Sequence, residues 1–224
     1  MQDFKNAQCR LDGKRGHVAI AKYWINQKHR NRVPKKDGYT SVYAAKGKQG
    51  TIGNQLTPFY LSVPNDMTDG CRPDMPLELV WQAAKVRVCE MDSKGCVLPA
   101  YFKRREKIYA AGVPKRRYLK YGELPACAIF GNDPTKTLAY QESRFFYCQA
   151  YERAVKETPA FKFLCEKLDQ GYNILLLGPD GYPMKNQTIE EAYEDTSKPF
   201  GHERVLCALL NFAHDPEHVF PWWL

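Results

Sequence analysis

Between Leu77 and Cys89 the apolar residues recur at helical spacing, and Leu77, Val80, Trp81, Ala84 and Val88 fall on one face at about 100° per residue. That pattern predicts a helix with Asp74 as N-cap and Pro76 in its first turn. Further along, Asp133-Pro134 opens a helical run through about Lys156, and Thr158-Pro159 caps a second that stops at Gly171. Tyr172 to Leu177 (YNILLL) is a short, mostly apolar run closed by the turn Gly178-Pro179-Asp180-Gly181, the pattern of a buried strand. Thr188 with Glu191 fits a capping box, and a mostly apolar helix follows from about Phe200 to Ala213.

Before Leu77 the pattern is less regular. Tyr39 to Ala44 is rich in β-branched and aromatic residues and reads as a short strand, while Leu56 to Val63 is extended because Pro58 biases its predecessor away from helix. Together these elements predict a mainly α chain (α or α+β), with residues 1–50 as a basic N-terminal arm or small lobe and residues 51–224 as one helical domain with a few short strands. The tail Phe220-Pro221-Trp222-Trp223-Leu224 is too apolar to stay in water and is expected to dock on the body or on a partner.

Charge sharpens this picture. Residues 1–120 hold 24 Lys and Arg against 10 Asp and Glu, whereas the remainder holds 9 against 15, so the net +8 is concentrated in the first half. Such a field attracts polyanions, whether a nucleic acid, a nucleotide or an acidic protein, although simple solubility would account for it equally. The chain lacks an apolar run long enough to span a bilayer, and its start MQDFKNAQCR lacks the apolar core of a secretory signal, so a cytoplasmic location with no membrane partner is expected. The eight cysteines include no C-x-x-C pair and read as reduced thiols; neither a metal nor a cofactor is implied.

The same helix carries the candidate chemistry. A second apolar strip, Leu79, Ala83 and Val86, lies across from the first, and between the two runs a polar line of Glu78, Gln82 and Lys85, four and three residues apart. Glu and Lys seldom go inside unpaired, so a polar line flanked by apolar strips points to a helix largely surrounded by protein, with that line either open to a pocket or closed in a structural network.

Leu77-Glu78-Leu79-Val80-Trp81-Gln82-Ala83-Ala84-Lys85 resembles the signature helix of the NADAR family, N-glycosidases acting on ADP-ribose-related and riboflavin-pathway metabolites, whose motif E-H-x-[YFW]-Q-A-x-K follows an L-S-N-F-like segment. Leu56-Thr57-Pro58-Phe59-Tyr60 is similar to that segment, with Pro58 where the family has Asn; Leu79 stands where it has His. Arg204 to Leu206, with Leu209, Leu210 and Phe212, looks like the family's late helix. The resemblance implies a hydrolase of the N-ribosyl bond of a nucleotide or ADP-ribose-type substrate. Glu78 would stabilise the oxocarbenium-like ribose or activate water, Trp81 or Phe59 would stack on the leaving base, Gln82 would orient sugar hydroxyls and Lys85 would hold a phosphate.

Other groups could join this site or act apart from it. Arg144, Tyr147 and Tyr151, at spacings of three and four, could line a second wall and grip a phosphate, or could pack between helices. His202, near a helix start, could serve as acid or base or be structural. Arg104, Arg105, Arg116 and Arg117, interleaved with Tyr101, Phe102, Tyr109 and Tyr118, are what phosphate neutralisation plus base stacking would use. A non-catalytic nucleic-acid binder acting through residues 101–121 is therefore an alternative, and a structural or assembly protein is a second.

Overall fold

A computed structural model of the chain describes residues 4, 7, 9–23, 33–45, 52–68, 74–115, 125–139, 141–184, 186–195 and 197–224. It divides into two compact units, Met1–Thr57 with Val155–Leu224, and Pro58–Ala154.

The centre of the first unit is a parallel sheet. Strand β6 (Asn173–Gly178) lies between β1 (Val18–Lys22) and β2 (Tyr39–Tyr43), with Ile174 opposite both Val18 and Thr40 and Leu176 opposite both Ile20 and Val42. The apolar run at residues 174–177 (ILLL) suits this position, since a central parallel strand is covered on both faces and has no wet side to alternate toward. The helices packed with this sheet are α1 (Ile52–Leu56) on β2, α5 (Pro159–Asp169) on β6, and α7 (His202–Phe212) on β1 and β6. The outer edge of β1 is capped by one side chain: Val18 N donates to Asn211 Oδ1 at 2.8 Å, and Asn211 Nδ2 donates back to Val18 O at 3.0 Å. The amide thus imitates a neighbouring strand and blunts the edge.

Two glycines are fixed by close approach. A Cβ on Gly16 would lie 1.9 Å from the backbone oxygen of Tyr172, and one on Gly178 would lie 2.3 Å from Glu203 Oε1. In Gly16→Ala neither backbone can yield, so the substitution should destabilise the chain by about 1–3 kcal/mol, as overpacking does. A urea midpoint equal to that of the unaltered chain would contradict it.

The C-terminal tail docks on its own unit. Phe220 and Trp222 stack at 4.8 Å, Trp222 lies 6.0 Å from Phe200 and 6.1 Å from Tyr193 of helix α6 (Ile189–Glu194), and Trp222 is 1% exposed. Trp223 and Leu224 remain exposed.

The second unit holds α2 (Leu77–Ala84), α3 (Pro99–Ala111), α4 (Ser143–Lys156) as far as Ala154, and an antiparallel sheet of β3 (Lys85–Arg87), β4 (Pro125–Ala128) and β5 (Leu138–Ala139), in the order β3-β4-β5. Val86, Tyr101, Cys127 and Ile129 form one of its hydrophobic clusters, against which Met91, Val97 and Phe102 pack. Helix α3 ends at Gly112, whose left-handed φ of 60° closes the last turn.

The expectation of a mainly helical chain is overturned. Helix accounts for 42% and strand for 17% of the described residues, and two three-stranded sheets organise the chain as an α/β mixture. Two local features account for the difference. The run predicted as helix from Leu77 to Val88 stops at Ala84, because Lys85 turns to an extended ψ of 121° and pairs with Ala128. The run predicted as helix from Asp133 instead forms β5 and begins its helix at Ser143.

Cysteine exposure is uneven. Cys9, Cys89 and Cys96 are exposed, whereas Cys148 and Cys207 are buried, and burial pushes the Cys207 thiol up to about 12 and the Cys148 thiol well above its ordinary value. At pH 8 a thiol near 12 is only about one part in 10⁴ thiolate. Iodoacetamide should therefore label Cys9, Cys89 and Cys96 in the native chain and spare Cys148 and Cys207 until denaturant is added, as peptide mass mapping would read. Rapid native labelling of Cys207 would contradict this packing.

Candidate functional site

The candidate site lies in the unit Pro58–Ala154, and its position follows from how α2 begins. No side chain caps this helix. Its first N–H groups are instead taken by an earlier segment running alongside: Leu77 N donates to Leu61 O at 2.7 Å and Glu78 N to Pro58 O at 2.9 Å, with Val63 N bonded to Met75 O at 3.0 Å. Orphan donors of a helix start are thereby satisfied by backbone carbonyls. Asp74, expected as the N-cap, sits outside the helix with a left-handed φ of 62°.

Glu78, Gln82 and Lys85 are joined in series. Lys85 Nζ donates to Gln82 Oε1 at 3.1 Å, and Gln82 Nε2 donates to Glu78 Oε1 at 2.8 Å. Because an ammonium can only donate and an ionised carboxylate can only accept, the amide between them has one orientation that serves both. The three are 6%, 5% and 8% exposed, so they stand in protein rather than in water, where charge-assisted hydrogen bonds gain strength and uncompensated charges are heavily penalised. Lys85 reaches Gln82 although its backbone has left the helix, and its ammonium also lies 5.0 Å from the centre of the Trp81 ring.

Aromatic rings flank this series. Trp81 lies 6.0 Å from Phe130 in a stacked arrangement and 5.0 Å from Tyr147 in a tilted one; Phe130 stacks on Phe146 at 3.6 Å, and Tyr147 lies 6.5 Å from Tyr151. Tyr147 and Tyr151 are buried on α4, and Trp81 is half-buried. The structure thus links Glu78, Gln82 and Lys85 by hydrogen bonds, and Lys85 through the Trp81 ring to Tyr147 and Tyr151. Pro58, the chain neighbour of Phe59, accepts the Glu78 amide through its carbonyl, and Arg144 precedes Tyr147 by one turn of α4.

Arg104 and Arg105, expected to face a polyanion, are committed to the fold. The Arg104 guanidinium grips Glu90 with Nε on Oε1 at 2.5 Å and Nη2 on Oε2 at 2.9 Å, and Nη2 also donates to Lys85 O. Arg105 donates from Nη1 to Gly131 O at 2.7 Å and from Nη2 to Asn132 Oδ1 at 3.1 Å, and it is 4% exposed. Tyr101 hangs between the same elements, its hydroxyl directed at Ala84 O at 3.1 Å and Ile129 O at 3.3 Å; burial pushes the phenol's pKa upward, so it stays a donor. Helix α3 therefore turns these basic and aromatic side chains inward, leaving Lys103 and Lys107 exposed. Arg116 and Arg117 lie outside the described residues.

His202 belongs to the other unit. Its Nε2 lies 2.8 Å from Ala44 O and its Nδ1 lies 3.3 Å from Glu203 Oε2, while Glu203 Oε1 accepts from Asp180 N at 3.2 Å. Arg204 donates to Tyr182 O at 3.1 Å and to Ala192 O at 3.4 Å. Three successive polar residues, all buried, thus tie the start of α7 to the ends of β2 and β6 and to α6. From the sequence His202 stands out as a candidate acid or base and Arg204 only as part of the late-helix resemblance, while the buried ionic roles of Glu203, Arg204 and, in the second unit, Glu90 do not. A charged triplet inside an otherwise apolar helical run was the available signal.

Among the described residues no group of three or more His, Cys, Asp or Glu is placed to hold a metal ion, and no helix is long and apolar enough to cross a membrane. Compared with protein-family models, with curated proteins and with solved structures, the chain matches none.

Proposed function

We propose that this chain is an N-glycosidase-like hydrolase that cleaves the N-ribosyl bond of a nucleotide or ADP-ribose-type substrate, with Glu78 as the group facing the anomeric carbon. The observation that carries the reading is the series Lys85 to Gln82 to Glu78, at 3.1 and 2.8 Å, held away from bulk water. Breaking a C1′–N bond develops positive charge on the ribose, and a carboxylate already oriented by a hydrogen bond needs no reorganisation to meet it. Trp81, whose ring lies 5.0 Å from both the Lys85 ammonium and the Tyr147 ring, would supply stacking surface for a leaving base, and the Lys85 ammonium a cation at the far end of the series for a phosphate.

Two further facts support it. The segment Pro58-Phe59, half of the NADAR resemblance, is bonded to Glu78, the head of the other half, through Pro58 O and Glu78 N at 2.9 Å. The nucleic-acid alternative loses two of its four named arginines to structural bonds with Glu90, Lys85, Gly131 and Asn132.

The test is release of free base and of ribose bearing a free anomeric centre from a panel of nucleotides, NAD-type dinucleotides and ADP-ribose derivatives, followed by chromatography. Release that depends on Glu78 is expected with at least one of them. A panel that yields no base with the full chain overturns the reading.

A further inference from the structure

We infer that the unit Met1–Thr57 with Val155–Leu224 binds a phosphorylated small molecule of nucleotide size in a cavity lined by its N-terminal segment and by the segment after α7. This goes beyond the hydrolase reading, since the cavity lies wholly in the unit that does not hold Glu78.

The cavity measures about 810 Å³, within the range that encloses a cofactor or nucleotide. Arg10, Lys14, Arg15 and His17 reach it from ahead of β1, and His214 and His218 from beyond α7. Two of these cations are partly engaged. Arg10 uses Nε and Nη2 on Asp12, and Arg15 uses Nε on Asp169 and Nη1 on Leu210 O. That fixes both guanidiniums while leaving Arg10 Nη1 and Arg15 Nη2, with the Lys14 ammonium and the His214 ring, without a protein partner among the described residues. His218 Nε2 is buried with no hydrogen-bond partner among the described residues.

Fixed guanidinium donors, an uncommitted ammonium and the exposed His214 imidazole at one cavity wall are the donor set that a phosphate's oxygens take. Glu190 shares the wall, and Asp12 and Asp169 stand beside Arg10 and Arg15, so recognition rests on directed donors rather than on an excess of positive charge. Lost hydration, and after it the charges of Lys36 and Arg10, hold the His17 pKa below the usual imidazole value.

The rest of the lining suits an organic body. Met184, Ile189 and Ala208 are apolar, and Phe212 lies flat on His218 at 3.8 Å and 16°. A neighbouring cavity of about 550 Å³ shares His17, Met184, Gln187 and Asn211 with the first, so a body longer than one sugar and base can extend along β1. A free inorganic phosphate would leave most of this space unused.

Calorimetry on the full chain carrying Glu78→Gln, which avoids turnover, gives the test. AMP should bind, adenosine should bind at least about tenfold more weakly, and adding Lys14→Glu, at an exposed side chain, should weaken AMP by about tenfold or more. The imidazole proton resonances of His214 and His218 should shift on adding AMP, a readout that needs no further variant. Equal affinity for AMP and adenosine, unchanged affinity after Lys14→Glu, or resonances that do not move each overturn the inference. So does binding of a short single-stranded oligonucleotide with none of AMP, which would make the basic wall a nucleic-acid surface. Failure of the hydrolase reading leaves these outcomes untouched, because none depends on bond cleavage.

Discussion

Replacing Glu78 by glutamine is expected to lower base release by roughly 10²–10⁴-fold while leaving the fold standing. The substitution is nearly isosteric and removes only the negative charge. In the folded chain Glu78 Oε1 accepts from Gln82 Nε2, and an amide oxygen at position 78 can still accept that bond. The Gln82 oxygen keeps its bond from Lys85, so the series survives as geometry but ends on a neutral group. What disappears is the charge that would meet the developing oxocarbenium ion, an effect on turnover much more than on substrate affinity. The decisive measurement is kcat beside KM on whichever substrate the panel yields, with circular dichroism and a urea midpoint to establish that the variant is folded. A loss confined to KM would assign Glu78 to binding, and unchanged turnover would remove it from the chemistry.

Arg104→Gln should destabilise the chain by about 3–5 kcal/mol, the range for removing one partner of a buried ion pair. The Glu90 side chain is 7% exposed and the Arg104 side chain 16%, and their two contacts account for both carboxylate oxygens, one of which also accepts from Arg87 N at 2.9 Å. Removing the guanidinium leaves a carboxylate with one backbone donor in a place water scarcely reaches. It also removes the Arg104 bond to Lys85 O, so the end of α2 and the start of β3 lose a restraint. The exposed Lys103 and Lys107 serve as controls: exchange for Gln at either should move stability by no more than about 0.5 kcal/mol. A nucleic-acid interface on this helix predicts the reverse, with Arg104→Gln weakening oligonucleotide binding at unchanged stability. Chemical denaturation of the three variants separates the two accounts, and an unshifted midpoint for Arg104→Gln would sink the structural one.

The sequence by itself determined the elements whose start and stop signals are local. Thr158 caps α5 through Phe161 N at 3.1 Å, Thr188 and Glu191 form the capping box of α6, and the mostly apolar run after Tyr172 is strand β6, since side-chain caps and short apolar runs act over a few residues. It also determined that Glu78, Gln82 and Lys85 would meet, because spacings of four and three bring such groups together near a helix.

What only the tertiary structure decided were the partners drawn from far along the chain. Val18 and Thr40 both pair with Ile174, and a five-residue strand such as VAIAK carries no mark of a partner more than a hundred positions away. The pairing of Lys85 with Ala128 ended a helix that the periodicity would have carried on to Val88, because a strand's hydrogen bonds come from its neighbour whereas a helix supplies its own. Glu90 decided where Arg104 points. The same basic residue reads alike in sequence whether its charge is spent on a buried carboxylate or presented to a ligand, and only the packing of α3 distinguishes them.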